Sequence, residues 1–583
     1  MDRKLMLLLA LLLVFAFSAP VHAECPDEER IVYIPAVVSG QEGGLLRVKV
    51  ETMPGNGSVF TSIDPLVGVS TQLSQQEAVR EGFANTGVSK KECEILFSFL
   101  DLNQSPSVDG PSAGLAMTIA LKAALEGKEL RKDIAITGAI LQNGQVGLVG
   151  GLIDKAQASA REGKVILITP KQKIYENILL SKLAEEHEFV AIEVETLEQG
   201  YEIATSAEGK EYESNFKLEN KQIPANLPQR ELNEDDMRFS EVAGNINNEL
   251  LLQVREGSGE GLEEYEEHFE KEAGQNNEII EKGYAYTAAN NAFLSQIDAY
   301  FLATPPHELN LEKEIEISGQ CVDALPSVEI TEENFEWIAG AEARKSWAKK
   351  KIEDISKYME DFQTQEERYL AAREIYYARS WCQAAGHMLA QAEEIGGEEI
   401  DNEILKSVAK VKLIDARKLV ENSIVRDNDA IWHLDTANNS LESGEYGGAI
   451  FDCAYASGMQ IATNHESEEE IEEIGNMTLE IADMEFESLW GRIYNSQGVY
   501  GAYSAIEGGG NIVESYRVFR LSDEMEKSML MAKAKIKNPP IAFEVSKKEE
   551  KVGKENAAIS IFALLCILIL SLNAGMKAIK KGL

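Results

Sequence analysis

The stretch VDGPSAGLAMTIALKAAL, residues 108–125, decides the fold of the N-terminal part of the chain. It opens as a turn and continues as an apolar run, which predicts a buried helix. Ser112 lies at the junction, where a serine is usually a helix cap. However, Gly110 and Gly114 leave room for another chain to approach the backbone, and a helix start offers unpaired N–H groups to an anion. The same features suit a serine nucleophile, whose oxyanion needs such donors.

Length and charge limit the classes of protein that remain. The chain has 583 residues, which is too long for one core and enough for two or three domains. Its formal net charge is −42, which argues against nucleic acid as a partner because phosphates would be repelled. Hydrophobic residues make up 44%, which indicates that most of the chain folds.

Both ends of the chain carry membrane-targeting patterns. Residues 1–23 have a basic start, an apolar run and a small-residue site after Ala23, which predicts a signal peptide; an uncleaved anchor is the alternative. Residues 557–576 carry no charge and are long enough for one transmembrane helix. The lysines of residues 577–583 place that tail in the cytoplasm. We therefore expect a single-pass protein of the cell membrane with residues 24–555 on the extracytoplasmic side.

That portion contains five cysteines, and a sixth, Cys566, lies in the apolar segment. Disulfides can form outside the cytoplasm. Since the count is odd, at least one thiol stays free or pairs with another chain. No CxxC spacing occurs, so zinc and redox motifs of that type are absent. The five are Cys25, Cys93, Cys321, Cys382 and Cys453.

Residues 30–206 alternate strand and helix patterns, which predicts a mixed α/β (α+β) domain. RIVYIPAVV and LLRVKVET are strand-like, TQLSQQEAVREGFANTG has helical spacing, and KVILITP is typical of a buried strand. The pair Asn143–Gly144 favours a tight hairpin turn.

The rest of the chain is predicted to be mostly helical. Residues 207–231 are polar and proline-containing, which is typical of a linker. Residues 232–535 show apolar positions at helical spacing with acidic opposite faces. No strict period is present, so an irregular helical bundle is favoured over a repeat solenoid. Residues 536–556 are interpreted as a stalk before the membrane segment.

A serine nucleophile needs a base. The only histidine of the α/β segment, His187, lies in an acidic surface-like stretch, so a Ser-His-Asp arrangement is poorly supported. The sequence has neither an HExxH zinc motif nor a phosphate-binding P-loop motif. Lys155 is the alternative base: it lies in the first turn of a helix, where a cation is disfavoured, and apolar neighbours would bury it. It could equally be a surface lysine that pairs with Asp154.

Three elements in order resemble the proteolytic domain of the Lon proteases. They are DGPSAG at residues 109–114, DIAITGAI at 133–140 and GGLIDKAQASAREG at 150–163. The family uses a Ser-Lys dyad, and the resemblance implies that Ser112 and Lys155 form it. It covers residues 30–206, about a third of the chain.

The resemblance also implies supporting roles for other residues. Thr137 matches a threonine that lies beside the lysine, and Asp109 matches the acidic residue before the serine turn. The oxyanion donors would be main-chain N–H groups of Gly110, Ser112 and Ala113. Two features depart from the family pattern: Ala139 replaces a glutamate, and the histidines often found before the serine loop are missing. We expect altered substrate handling rather than lost chemistry.

Together these patterns resemble a membrane-anchored, archaeal-type Lon-like peptidase that lacks the nucleotide-driven unfolding module. The expected reaction is hydrolysis of unfolded or flexible polypeptides by a serine endopeptidase without ATP, metal or cofactor. A homo-oligomer is implied by the rings that Lon domains form. Two alternatives remain open. The peptidase domain could be a scaffold in a surface interaction protein, or the dyad could serve self-processing.

Overall fold

The computed structural model describes residues 24–538, except 38–42, 64–65, 101–106, 308, 469–472, 474–476, 479–480 and 483. The predicted signal peptide, most of the stalk, the transmembrane segment 557–576 and the tail lie outside the described residues. Within the described part, no helix combines the length and apolarity needed to cross a membrane.

A four-stranded sheet begins the α/β region. Its strands are β1 (Glu28–Ala36), β2 (Gly44–Pro54), β3 (Val59–Thr61) and β5 (Cys93–Leu100), in the order β1-β2-β5-β3. The β1–β2 and β2–β5 pairs are antiparallel, and β3 runs parallel to β5. Buried and partly exposed positions alternate along β2 and β5, as expected for a sheet with one covered face.

The helix that follows the serine turn covers this sheet. It is α2 (Gly114–Glu126), and residues 114–125 are all buried. Leu115 and Ile119 share a core with Val48 and Phe97 of the sheet. The apolar run therefore forms the predicted buried helix. It follows α1 (Val69–Gly82) and the short paired strands β4 (Leu66–Val67) and β6 (Ser107–Val108).

A second, parallel sheet separates two cores. Its strands are β7 (Ile134–Ile136), β10 (Ile166–Pro170) and β11 (Val190–Val194), in the order β11-β10-β7. Ile134 and Ile136 face the core under α2, whereas Ala135 faces a second core. Successive strand residues point to opposite faces, so the sheet is buried on both sides.

The predicted strand DIAITGAIL is divided in the structure. It supplies β7, breaks at Thr137 and Gly138, and resumes as β8 (Ala139–Ile140), which pairs with β9 (Val146–Gly147). The break occurs because Gly138 has φ +155° and bonds to the serine loop instead of the sheet. The Asn143–Gly144 hairpin turn is confirmed: both residues have positive φ, as a type I′ turn requires.

Three more helices complete the α/β region. They are α3 (Leu152–Arg161), α4 (Ile174–His187) and α5 (Leu197–Ala204). Helices α3 and α4 cover the second face of the parallel sheet. Their other side continues into the core of the helical region, where the rings of Tyr175 and Phe301 lie 5.0 Å apart. The two regions therefore share one hydrophobic core.

Residues 207–233, which include the predicted linker, contain no helix or strand. The helices after it form a bundle. The helix of residues Tyr446–Glu468, numbered α14 below, packs against four other helices, which are numbered α10, α12, α13 and α16. In a solenoid, by contrast, each helix contacts only its neighbours in sequence. The helices described in this region are α6 (Glu234–Gly257), α7 (Glu263–Glu281), α8 (Ala285–Ala303), α9 (Leu311–Asp323), α10 (Phe335–Lys357), α11 (Gln365–Ile395), α12 (Asn402–Asn422), α13 (Asn428–Ser443), α14 (Tyr446–Glu468), α15 (Leu489–Ile506) and α16 (Ile512–Lys537).

Two disulfides form, one in each region. Cys25 bonds to Cys93, and Cys321 bonds to Cys382. Cys453 is the buried thiol left over from the odd count. The pairings could not be deduced from the sequence, because the partners are 68 and 61 residues apart and no spacing motif marks them.

Candidate active site

The carboxylate of Asp109 is one of the side chains that hold the serine turn. Ser112 lies, half-buried, in a single 3₁₀ turn, Pro111–Ala113, that leads directly into α2. Gly110, just before it, has φ +131°, a conformation that favours glycine. Asp109 Oδ1 accepts hydrogen bonds from the N–H of Gly110 at 2.9 Å and of Thr71 at 3.2 Å. Asp109 therefore fixes the turn rather than pointing at a substrate.

The turn also presents main-chain donors. Pro111 has no N–H, so the N–H groups of Ser112 and Ala113 are those at the start of this turn, which lack partners within a helix. The N–H of Gly110, the third predicted oxyanion donor, donates to Asp109. The structure thus favours Ser112 and Ala113 as the donors for an oxyanion.

Thr137 lies beside the serine loop. The N–H of Gly138 donates to the carbonyl of Ser112 at 2.9 Å, and the N–H of Leu115 donates to the carbonyl of Gly138 at 3.0 Å. These two bonds join the loop to the break between β7 and β8. Thr137 itself is 1% exposed, and its Oγ1 has no hydrogen-bond partner among the described residues. A buried hydroxyl without a partner is costly to folding, so its presence at this position needs an explanation.

Lys155 lies in the first turn of α3 and is not a surface lysine. It is only 4% exposed, and its Nζ donates to the carbonyl of Gly150 at 2.7 Å. Both side chains of the predicted dyad are described, and no hydrogen bond joins Lys155 Nζ to Ser112 Oγ. Catalytic hydrogen bonds are often long without substrate and tighten in the complex.

Burial makes Lys155 suitable as a base. Removal from water lowers the pKa of its ammonium to about 8, partly offset by the negative charge of Glu366. The position at a helix N-terminus acts in the same direction as burial. A substantial fraction of the amine is therefore neutral near pH 8, as a general base requires.

The acid beside Lys155 belongs to the helical region. Glu366 lies in the first turn of α11, and its Oε2 accepts the N–H of Ile153 in the first turn of α3 at 3.2 Å. In return, Asp154 accepts the N–H of Gln365 at 3.2 Å and of Glu366 at 3.4 Å. Each helix start is thus capped by a carboxylate from the other helix. Negative charge is favourable at both N-termini.

Sequence reasoning missed Glu366. The stretch TQEE has the T-x-x-E pattern of a capping box and could have marked the start of a helix; Thr364 and Glu367 indeed form that box. No motif in the sequence around Glu366 indicates that this helix start contacts α3.

Burial raises the pKa of the Glu366 carboxyl to about 7, and the positive charge of Lys155 opposes that rise. None of these site residues belongs to a cluster of potential metal ligands among the residues that the structure describes.

Comparison with known proteins covers the α/β region. Residues 33–200 match the family model of the Lon protease (S16) C-terminal proteolytic domain. The chain is 29% identical over 171 residues to the Lon protease of Vibrio parahaemolyticus, and 32% identical over 159 residues to that of Escherichia coli K12. These alignments cover 27% and 26% of this chain, and 21% and 20% of the relatives. The chain thus spans about a fifth of the length of the curated relatives it matches. Residues 33–200 are therefore similar to the Lon-type (S16) proteolytic domain.

Proposed function

We propose that this protein is a serine endopeptidase that cleaves unfolded or flexible polypeptides with a Ser112–Lys155 dyad, without nucleotide, metal or cofactor. The observation that carries the proposal is Lys155: its ammonium is 4% exposed, burial lowers its pKa to about 8, and it stands at the position that the resemblance assigns to the base. Perturbed pKa values of this kind concentrate at functional sites.

The proposed cycle uses only groups of this chain and water. Neutral Lys155 takes the proton of the Ser112 hydroxyl as its oxygen attacks a peptide carbonyl. The N–H groups of Ser112 and Ala113 stabilise the oxyanion. Lys155 then gives the proton to the leaving amine, and the peptide C–N bond breaks. Water hydrolyses the acyl-enzyme with Lys155 as base, which regenerates the free serine.

In this cycle the amine of Lys155 must exchange its hydrogen-bond partner. Lys155 Nζ must leave the carbonyl of Gly150 and face Ser112 Oγ when a substrate is bound. Thr137 Oγ1, which is buried and lacks a partner, suits an acceptor that holds the amine in that state. The family role of Thr137 agrees with this assignment.

We also propose an extracytoplasmic location, with anchoring through residues 557–576 and self-association through the Lon-type domain. The two disulfides support the location, because such bonds persist in oxidising compartments. The uncharged 20-residue segment followed by lysines supports the anchor. Self-association rests on resemblance to Lon domains.

A second candidate is a scaffold with an inactive peptidase domain. It is favoured by one observation: Lys155 Nζ bonds to Gly150 and not to Ser112. Self-processing is a variant of the first proposal. In that case the wild-type chain shortens on incubation, whereas Ser112→Ala stays full-length.

Acylation of the serine separates these candidates. We would treat the full chain with a β-lactone, which acylates a nucleophilic serine, and locate the adduct by peptide mass spectrometry. We expect the adduct on Ser112, forming faster as pH rises through about 8 and absent from Lys155→Met. Ser74→Ala is the control, since Ser74 Oγ lies beside the turn and donates to the carbonyl of Pro111. Equal labelling of Lys155→Met would contradict the role of Lys155 as base, and absence of labelling in the wild type would support the scaffold.

A further inference from the structure

Two histidines and a glutamate cluster at the contact between the helical region and the α/β region. Glu186 and His187 end α4, and His307 lies in the connection between α8 and α9. One ligand atom from each lies within 4.8 Å of the other two. Among the residues that the structure describes, no other three potential metal ligands converge in this way. The whole chain has seven histidines, so the meeting of two from distant segments is notable.

We propose that Glu186, His187 and His307 bind a divalent transition-metal ion of the zinc class. Two imidazoles and one carboxylate are ligands that Zn²⁺ prefers, and three protein ligands leave a fourth position for water. A cavity of about 340 Å³ adjoins His187 and His307, which gives room for that water. The metal joins the two regions and takes no part in the peptidase chemistry.

The contacts around His307 orient its ring for a metal. His307 Nε2 lies 2.6 Å from Glu186 Oε2, so this nitrogen faces the other ligands. His307 Nδ1 lies 3.3 Å from the side-chain amide of Gln157 on α3. With the amide turned by 180°, Gln157 Oε1 accepts the Nδ1–H. Metal-binding histidines usually have such an outer partner, which fixes the tautomer.

Both sides of the site are held before any metal binds. On α4, one turn before Glu186, Lys182 Nζ donates to two carbonyls in the last turn of α8, Phe301 at 2.9 Å and Leu302 at 2.6 Å. It also donates to the carbonyl of Thr304, just after that helix, at 2.9 Å. On the other side, α11 holds the connection that carries His307. Its first turns donate three side-chain hydrogen bonds, from Gln365 to the carbonyl of His307, from Arg368 to that of Leu309 and from Tyr369 to that of Pro305.

The site is close to the capped start of α3. Gln157 belongs to α3, and Gln365 contacts both the His307 carbonyl and Asp154. A bound ion therefore joins α4 to the His307 connection, which Gln365 in turn links to the start of α11. Since the ligands are about 120 residues apart in sequence, no spacing motif reveals them.

The competing description is a plain His307–Glu186 ion pair. The chain offers a matched control for it. His387 Nε2 lies 3.4 Å from Glu249 Oε1, which is also a partly exposed histidine–glutamate pair but has no second histidine. A metal site predicts that His187 matters, whereas an ion pair predicts that it does not.

The test is zinc titration of the full chain, stripped of metal with EDTA and held in mild detergent, followed by calorimetry. We expect one Zn²⁺ per chain, and affinity reduced by more than about 100-fold in His187→Ala and His307→Ala, because even an outer partner costs about 10- to 100-fold. His387→Ala should bind as the wild type does. His187 is exposed, so His187→Ala should keep its metal-free thermal midpoint. Absence of zinc binding, or unchanged affinity in His187→Ala, would overturn the proposal whether or not the chain is a peptidase.

Discussion

Asp154 and Glu366 lie 212 residues apart in sequence, and each accepts backbone N–H groups at the start of the other's helix. Asp154 precedes Lys155, and Glu366 is the charge that opposes the lowered pKa of Lys155. The helical region therefore supplies part of the electrostatic environment of the proposed base. Both regions therefore contribute to the proposed site, as they do to one core.

Neutralising Glu366 should shift the pH dependence of cleavage. In Glu366→Gln the amide oxygen can still accept the N–H of Ile153, but the charge that favours the ammonium is gone. The pKa of Lys155 should fall, so the rise of kcat/KM with pH, centred near pH 8 in the wild type, should move to lower pH. A pH–rate profile from pH 5 to 10 measures the shift.

The matched control for that experiment is Glu367→Gln. Glu367 follows Glu366, caps α11 through the N–H groups of Gln363 and Thr364, and does not act on Lys155. Its profile should keep the wild-type midpoint. A midpoint that stays unchanged in Glu366→Gln, with the fold intact, would show that Glu366 is only a structural cap.

Replacing Lys155 by methionine should separate stability from activity. Burial lowers its pKa from 10.5 to about 8, so at neutral pH the buried ammonium costs about 3 kcal/mol of folding free energy. Lys155→Met removes this cost and loses the bond to Gly150. We expect the free energy of unfolding at pH 7, from urea denaturation, to be unchanged or higher by about 1–3 kcal/mol, while activity falls by about 10⁴-fold.

The stability difference should itself depend on pH. Between pH 8 and about 10.5 the unfolded wild-type chain binds more protons at Lys155 than the folded chain does, so its stability rises with pH. The methionine variant lacks this slope, and its advantage should disappear above pH 10. An advantage that is constant with pH would contradict the buried-ammonium explanation.

The hydroxyl of Thr137 should matter for activity and not for folding. Thr137→Val keeps the shape but removes an oxygen that is buried without a partner. We expect stability to be unchanged or about 1 kcal/mol higher. Because Thr137 is proposed to hold the amine of Lys155, kcat should fall by about 10-fold or more. Lower stability with full activity would mean that the hydroxyl has a structural partner instead.

Asp109 should tolerate asparagine better than alanine. Asparagine keeps the oxygen that accepts the N–H groups of Gly110 and Thr71, whereas alanine frees the serine turn. We expect Asp109→Asn to retain most of the activity and Asp109→Ala to lose about 10²-fold in kcat, as displaced catalytic groups do. Equal, large losses in both variants would assign the carboxylate charge itself to the reaction.

The sequence predicts local features better than distant contacts. The helix of residues 114–126, the Asn143–Gly144 turn and the buried strand at residues 166–170 follow from hydrophobic period and turn chemistry. The break at Gly138 was not predicted, because it depends on hydrogen bonds to a loop 26 residues earlier. The Asp154–Glu366 caps and the His187–His307 cluster were also not predicted. They join segments that are far apart in sequence, and neither hydrophobic periodicity nor a sequence motif indicates that these segments are in contact. Ser112 and Lys155 are candidates from their local sequence, the resemblance implies that they form a dyad, and their cooperation is still a proposal.

The central claim is that Ser112 and Lys155 together hydrolyse peptide bonds. The most direct measurement follows cleavage of an unfolded, dye-labelled protein by the full chain in detergent, without nucleotide, at pH 8.5. The wild type should cleave it, and Ser112→Ala and Lys155→Met should each be inactive while retaining the wild-type thermal midpoint or a higher one. Cleavage that persists in both variants would contradict the assignment of the dyad, and absence of cleavage by the folded wild type would favour the scaffold.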